Sequence, residues 1–315
     1  MSSRTPKITS LLLTRRARAL RRYLPAAVAG DDRGVHQARV ASRRLREAVP
    51  VLAGALKHSK AGKAQRKIRR LTRALGSVRE LDVTLQLLDE LSSSDELSKG
   101  ALQDVRLHVM AERTEKRDAM LAKLVSVDTA KLDKRLASVS EAIAADAQQT
   151  WRQALGARLL KRSKLLAAAI DQAGQLYAPE HLHEVRIATK KLRYGVELAA
   201  DSRLPAANPI LRTLKRTQDS LGRLHDLQVL QAHVAAVQAA PAGRAVPHEG
   251  LGAIAGRIEE QCRRLHGKYV AQADALRELT VTIPTQLVPR LAARSRPLKM
   301  KMAVRKTRKA AGSTR

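Results

Sequence analysis

An eleven-residue phrase occurs twice in this chain, and this repetition constrains the fold more than any other feature. HQARVASRRLR begins at His36, and HEVRIATKKLR begins at His183, 147 positions later. Five of the eleven positions are identical, and four more are conservative exchanges. A second pair, LGSVRELDV from Leu75 and LGRLHDLQV from Leu221, recurs at nearly the same offset. Because the phrases repeat in the same order, we predict that the chain contains two similarly folded halves.

Residue usage favours helices along the whole chain. Ala, Leu, Arg, Lys, Gln and Glu, which form helices readily, dominate, and most glycines and prolines fall between periodic stretches. We therefore predict an all-α protein, with a β-strand considered only for 279–283. The predicted helices cover about 8–24, 32–58, 61–91, 95–124, 129–175, 180–200, 208–239 and 250–279.

Local signals refine these helices and divide the chain. Asp31 and Asp32 are N-cap candidates, Pro50 should kink or split its helix, and Pro179 suits a first helical turn. Residues 240–250 read as a loop. The repeat predicts two four-helix bundles that arose by internal duplication, over 1–148 and 149–289. The remaining segment, 290–315, has ten Lys and Arg and no acid, so we expect it to be disordered.

The charge balance points to an anionic partner. The 315 residues include 60 Lys and Arg against 29 Asp and Glu, which gives a formal net charge of +31. Such a chain attracts nucleic acid, anionic membranes or an acidic polymer without bases. The single cysteine, Cys262, excludes an intrachain disulfide and suits a reducing compartment. The apolar run near the N-terminus is too short for a signal peptide or membrane span, so we expect a soluble, cytoplasmic protein without membrane association.

The repeated phrase forms a basic stripe when it is placed on a helix. At 100° per residue, four side chains of each copy lie within an arc of about 80°, opposite small apolar residues such as Ala38 and Leu45. The stripes consist of His36, Arg39, Arg43 and Arg46, and of His183, Arg186, Lys190 and Arg193. Each spans about 15 Å, which suits a linear polyanion better than a single phosphate.

Two interpretations of these residues remain open. A basic helix face is usually solvated surface, but each like-charged pair in the stripe costs about 0.2–0.5 kcal/mol, and repeating that cost twice favours an anion site. The two histidines serve either helix packing or the anion site. The second phrase mixes acids and bases and reads as structural. Upstream basic residues either extend the anion surface or are solvated: Arg66, Arg69, Arg212 and Lys215, together with Arg70 and Arg216.

The phrases VHQARVASRRLR, ALGSVRELDV, LHEVRIATKKLRY and LGRLHDLQV, in this order, resemble the CHAD family, the conserved histidine α-helical domain. The resemblance covers about residues 5–285. It implies two four-helix bundles related by a pseudo-twofold axis, and binding of inorganic polyphosphate by basic residues that line a central groove. It also implies a possible location on polyphosphate granules. The ExExK signature of the CYTH-type domain found in many relatives is absent from the sequence, so we expect a stand-alone member without hydrolase activity.

Three functions compete at this stage. The first is non-enzymatic polyphosphate binding through the two stripes. The second is nucleic-acid binding, which the scarcity of aromatics (no Phe, one Trp, four Tyr) disfavours because base stacking needs them; the basic tail could still contact nucleic acid non-specifically. The third is a phosphotransferase with His183 as phosphoacceptor, since HEVR resembles a sensor-kinase histidine box. No nucleotide-binding loop or Mg²⁺-binding acidic cluster is visible, so we expect no enzyme activity, cofactor or metal.

Overall fold

The computed structural model describes residues 8–53, 59–93, 97–145, 151–239 and 248–293. Within these residues the chain is helical and contains no strand, which confirms the predicted all-α class. A π-helical turn, Ile283–Leu287, separates the last two helices. The helices are α1 (Ile8–Val28), α2 (Asp32–Leu52), α3 (Ser59–Ser92), α4 (Lys99–Val125), α5 (Thr129–Ala145), α6 (Trp151–Ala173), α7 (Pro179–Asp201), α8 (Ala207–Gln238), α9 (His248–Thr282) and α10 (Val288–Ala293).

The two helices that carry the copies of the eleven-residue phrase, α2 and α7, begin where local chemistry predicts. The Asp31 side chain accepts a hydrogen bond from the Gly34 amide and caps α2, which satisfies a backbone donor that lacks a helical partner. Pro179 opens α7, where its missing N–H costs nothing. Pro50 lies in the last turn of α2, which ends at Leu52 and not near 58. Proline therefore marks both a start and an end of these helices.

Some predicted boundaries differ from the structure. The segment predicted as one helix over 129–175 forms α5 and α6, and the residues between them, 146–150, lie outside the described part together with the proposed boundary at 148. The strand considered for 279–283 is wrong, because these residues end α9 and begin the π-helical turn. The first four residues of the expected tail belong to α10, while 294–315 and most of the predicted loop, 240–247, are not described.

One large hydrophobic core runs through both halves of the sequence. It includes Leu13, Leu45 and Leu71 from the first half, and Leu155 and Leu192 from the second, each with no measurable exposure. The apolar side of the first phrase packs into this core, because α2 buries every residue predicted to lie opposite the basic stripe. Burial of one face of α2 and α7 forces the charged face of each helix away from the core.

A second core joins the ends of four helices, two from each half. It is built from α3 and α4 on one side and α8 and α9 on the other, with Leu88, Val105, Leu230 and Ile254 among its buried members. The repeated helices also meet directly, since α2 contacts both α6 and α7. The halves are therefore packed against each other, and this packing sets the distance between the two basic stripes.

Gly34 permits the close approach of α1 and α2. A Cβ atom on this residue would lie 2.7 Å from the Ala26 Cβ and 2.8 Å from the Ala27 backbone nitrogen. These distances are shorter than van der Waals contact, so a side chain here would push the helices apart. More than three turns further along α2, a partly buried acid also anchors the helix: Glu47 accepts hydrogen bonds from Arg158 and Arg162 of α6.

Two further findings concern membrane and redox expectations. Among the described helices, none combines the length and the apolar character needed to cross a bilayer. Cys262 is a buried free cysteine in α9, packed in the second core.

Candidate polyanion-binding site

The two basic stripes converge between α2 and α7. Lys190 of α7 shows this best, because its neighbours include the arginines of both stripes: Arg186 on its own helix, and Arg39, Arg43 and Arg46 on α2. An ion pair of 3.9 Å between Arg44 Nε and Glu197 Oε2 also links the helices. We define the central cluster as His36, Arg39, Arg43, Arg46, His183, Arg186 and Lys190.

Burial and then the crowding of like charges lower the pKa of several basic groups in the central cluster. Burial, followed by repulsion from Arg186 and the three α2 arginines, lowers the pKa of Lys190 to about 7. Burial, with Arg43 as the next cause, lowers the pKa of Arg39 to about 10. Burial also lowers the pKa of Arg186. An anion placed among these groups would reverse each shift, because opposite charge favours the charged form.

Two polar atoms of the central cluster are buried without a partner. Arg39 Nε and His36 Nδ1 lack a hydrogen-bond partner among the described residues, although each is shielded from solvent. A buried donor that stays unpaired costs about 1–3 kcal/mol, and more when the group is charged. Arg39 therefore carries a donor that the protein itself leaves unsatisfied, at the point where the two stripes meet.

The histidine of the second phrase pairs with another histidine. His183 Nδ1 lies 3.3 Å from His225 Nδ1, and the ring centroids are 4.8 Å apart. Burial, followed by Arg186, His183 and Lys190, lowers the pKa of His225 to about 4. Burial also lowers the pKa of His183, and that of His36, where Arg79 is the next cause. These imidazoles therefore act as neutral hydrogen-bonding groups near pH 7.

The second repeated phrase borders the central cluster, which sequence reasoning did not recognise. Asp82 of α3 accepts a 2.7 Å hydrogen bond from Arg113 Nε, which fits its predicted structural role. Glu80 and Asp226, however, lie near Arg186 and partly offset its charge. Burial, the largest cause, raises the pKa of Asp226. The phrase from Leu75 and Leu221 recurs at almost the same offset as the eleven-residue phrase, and this was the signal that could have predicted that the two phrases lie side by side.

Tyr194 is a further neighbour that the sequence did not single out. Its side chain is buried on α7 and lies close enough to Arg39 and Arg186 to affect the pKa of both. It directly precedes Gly195, where a Cβ atom would lie 2.9 Å from Leu159 Cδ2 of α6. The close packing of α6 and α7 at this point fixes the backbone next to the tyrosine.

Arg193 and Arg46 differ from the rest of the predicted stripes. Arg193 donates to Glu197 on its own helix and, at 2.6 Å, to Gln218 Oε1 of α8, and its guanidinium lies 4.8 Å from the Tyr194 ring centroid. Arg46 lies 3.9 Å from the carboxylate of Glu47. Arg193 is thus engaged by protein groups, whereas Arg46 also acts on Lys190 and so belongs to the central cluster.

The structure does not bring the four upstream residues into the central cluster. Arg66 lines a separate groove of about 1200 Å³ between α3, α4 and α5. We call this the lateral groove; its basic residues are Lys63, Arg66, Lys67, Arg70, Arg73, Lys116, Lys123, Lys131 and Arg135. Arg69, Arg212 and Lys215 are exposed on α3 and α8. Among the described charge contacts, none joins these residues to the central cluster.

The fold and the cluster define an all-helical protein in which two repeated helices share one basic centre. The chain belongs to the CHAD domain family, whose CHAD domain matches residues 11–235. This match confirms the resemblance seen in the four phrases.

Two of the solved structures that are similar to this chain illustrate the likeness. PptA from Streptomyces chartreusis aligns with a TM-score of 0.63 and 15% identity over 86% of this chain and 99% of that one. The CHAD domain from the plant Ricinus communis aligns with a TM-score of 0.60 and 24% identity over 86% and 91%. At these identities the likeness concerns the fold alone. A comparison with curated protein sequences found no significant match.

Proposed function

We propose that this protein binds inorganic polyphosphate at the central cluster, without chemical conversion of the polymer. The observation that carries the proposal is the buried, unpaired Nε of Arg39, surrounded by Arg43 and Lys190. The net charge of +31 draws a polyanion to the surface, and the cluster supplies the specific contacts. The chain belongs to the CHAD family, and its resemblance to that family implied polyphosphate binding, so the family supports the same proposal.

Each group has a distinct role in this proposal. The arginines donate forked hydrogen bonds to phosphate oxygens, and Lys190 adds a point charge that becomes fully protonated on binding. Neutral His36 and His183 each donate one N–H. Glu80 and Asp226 limit the repulsion among the cations in the absence of the polymer. Arg193, held by Glu197 and Gln218, positions α7 against α8 and makes no direct contact with the polymer.

The aromatic residues favour a phosphate chain over nucleic acid. Trp151, Tyr194 and Tyr269 are each at most 9% exposed, so these three of the five aromatics cannot stack on a base. Stacking contributes about 1–3 kcal/mol per base in single-strand binders. A polymer that consists only of linked phosphates needs charge and hydrogen bonds, and the central cluster provides both.

A pair of charge-matched variants tests the site. The triple variant Arg39→Gln, Arg43→Gln, Arg186→Gln removes three charges from the central cluster, and Lys63→Gln, Arg66→Gln, Arg70→Gln removes three from the lateral groove. Hydrogen bonds to charged groups contribute about 1.5–3 kcal/mol each, so the first variant should bind long-chain polyphosphate at least about 100-fold more weakly. The second should lose less than about tenfold. Equal losses would assign binding to net charge and refute the site.

Competition separates polyphosphate from nucleic acid. Polyphosphate, single-stranded RNA and duplex DNA, matched in total charge, should be titrated at about 150 mM salt, where non-specific phosphate contacts are weakened. We expect polyphosphate to displace both nucleic acids. Preferential retention of RNA or DNA would replace the proposal with the nucleic-acid alternative.

Incubation with polyphosphate or ATP and Mg²⁺ tests whether the protein is an enzyme. We expect no released phosphate and no phosphorylated His183. Phosphate release that disappears in a His183→Ala variant would establish the phosphotransferase alternative. If binding is as proposed, the protein should also associate with polyphosphate granules when these are present in a cell, and the central triple variant should not.

A further inference from the structure

Two histidines and a glutamate outside the central cluster meet where α4 crosses α8. His108 and Glu112 lie one turn apart on α4, and His233 faces them from α8. One ligand atom from each residue lies within 4.8 Å of the other two. His233 Nδ1 is 3.6 Å from Glu112 Oε2, and the two imidazole rings form an edge-on pair with centroids 5.6 Å apart.

The two repeated phrases do not account for this group. At the repeat offset of 146 residues, His233 corresponds to Leu87, an apolar residue that is buried in the second core. The group therefore has no second copy related by the repeat, because the counterpart of His233 cannot bind a metal. The second core borders the group, because Val105 and Val109 of α4 and Val234 of α8 are all buried there.

We propose that His108, Glu112 and His233 form a binding site for a divalent transition metal of the zinc type. Imidazole nitrogens with one carboxylate suit Zn²⁺, Co²⁺ or Ni²⁺, whereas Mg²⁺ and Ca²⁺ prefer oxygen ligands alone. Three protein ligands leave a fourth tetrahedral position for water, and the partial exposure of Glu112 (30%) and His233 (13%) allows an ion to enter.

The geometry is close to what such an ion requires. Tetrahedral ligands at about 2.0–2.1 Å from zinc lie about 3.3 Å from each other, so side-chain rotation of the order of 1 Å would complete the site. Lys116 Nζ already holds Glu112 through Oε1, which leaves Oε2 directed at His233. An outer partner of this kind orients a metal ligand.

A bound ion would connect the two halves of the chain. His108 and Glu112 belong to the first half and His233 to the second, so each coordination bond across α4 and α8 resists their separation. A metal that binds only the folded protein raises its stability. The site is independent of the proposed polyphosphate function, and it should be tested without polyphosphate because the polymer itself binds divalent cations.

Titration of the chelator-treated full chain with ZnCl₂, followed by calorimetry, tests the proposal. We expect one Zn²⁺ per chain with a dissociation constant below about 10 μM, and a higher melting temperature with zinc. His108→Ala and His233→Ala should each weaken binding at least about 30-fold, and Glu112→Gln about tenfold. The control His181→Ala, at an exposed position on α7, should bind zinc as the unmodified protein does.

Two further measurements decide the location. Co²⁺ in place of Zn²⁺ should give visible absorption bands of tetrahedral coordination that His108→Ala abolishes, and circular dichroism of each metal-free variant checks that it is folded. The His183–His225 pair is the rival position, so His183→Ala is included. Zinc binding lost in His183→Ala but kept in folded His108→Ala would overturn the assignment, as would no saturable binding at 100 μM Zn²⁺.

Discussion

The lowered pKa of Lys190 predicts that polyphosphate affinity falls as the pH rises above neutrality. Burial and four surrounding arginines lower this pKa from 10.5 to about 7, so about half of the free protein molecules carry a charged Lys190 at pH 7. A bound chain of negative charge favours the protonated amine and raises the pKa again. Binding therefore takes up a proton above pH 7, and the affinity must decrease with pH in that range.

The size of this change in polyphosphate affinity follows from the protonation of Lys190 alone. If the pKa of Lys190 is about 7 in the free protein and returns to 10 or above in the complex, the affinity drops about 15-fold between pH 7 and pH 8.5. Below pH 7 the affinity rises only about twofold further, and from about pH 6 downwards the contribution of this lysine is constant. The histidine pKa values are lowered from 6.5 in the free protein, so His36 and His183 are mostly neutral before binding in the tested window.

The assay is a binding titration with long-chain polyphosphate at constant ionic strength from pH 6.5 to 8.5. A long chain keeps the share of titrating end groups small. Lys190→Gln should bind more weakly at pH 7 and lose most of the pH dependence, whereas Lys191→Gln, an exposed charge on the same helix, should retain it. A flat profile for the unmodified protein, or an unchanged slope in Lys190→Gln, would refute the reasoning.

Three further predictions concern the salt dependence of binding, the ion pairs of Glu47 and the packing of α1 against α2. In the variant Arg39→Gln, Arg43→Gln, Arg186→Gln, the slope of log affinity against log salt should be less negative by about 2, because three phosphate contacts at about 0.7 each are lost. An unchanged slope would contradict the site. Glu47→Gln leaves Arg158 and Arg162 without their acid and should lower the free energy of unfolding by about 3 kcal/mol, measured by urea denaturation. Burial raises the pKa of Glu47, but the two arginines outweigh this effect and lower it from 4.5. The unmodified protein should therefore lose this stability as the pH falls below 4.5, whereas Glu47→Gln should not. Equal loss of stability in acid for both proteins would argue against the ion pairs of Glu47. Gly34→Ala should lower the free energy of unfolding by about 1 kcal/mol, since overlap with α1 exceeds the gain in helix propensity; a stabilised variant in a thermal melt would show that the helices separate freely.

Features that depend on neighbouring residues in the chain were predictable. The cap at Asp31 and the start at Pro179 follow from backbone groups that lie within one turn. The burial of Ala38 and Leu45 opposite the basic stripe follows from the 3.6-residue period. The end of α5 at Ala145 was missed because the residues on both sides of it are good helix formers, so propensity alone predicted one helix over 129–175.

The site was predictable only in part. The composition of both stripes was visible in the sequence, but Arg193 and Lys190 occupy equivalent-looking positions on α7 and meet different surroundings. Arg193 meets Glu197 and Gln218, whereas Lys190 meets arginines from another helix. Arg66 resembled an extension of the stripe, but it faces α4 and α5.

The sequence by itself determined that the chain is helical, that it carries two matching basic stripes, and that each stripe lies opposite an apolar face. These properties arise from residues a few positions apart, where helix geometry leaves little freedom. The tertiary structure decided that the stripes converge, that Lys190 becomes a weak base, and that His108 and Glu112 meet His233. Such distances between helices depend on how side chains of the shared cores fit together, and no periodicity within one helix encodes them.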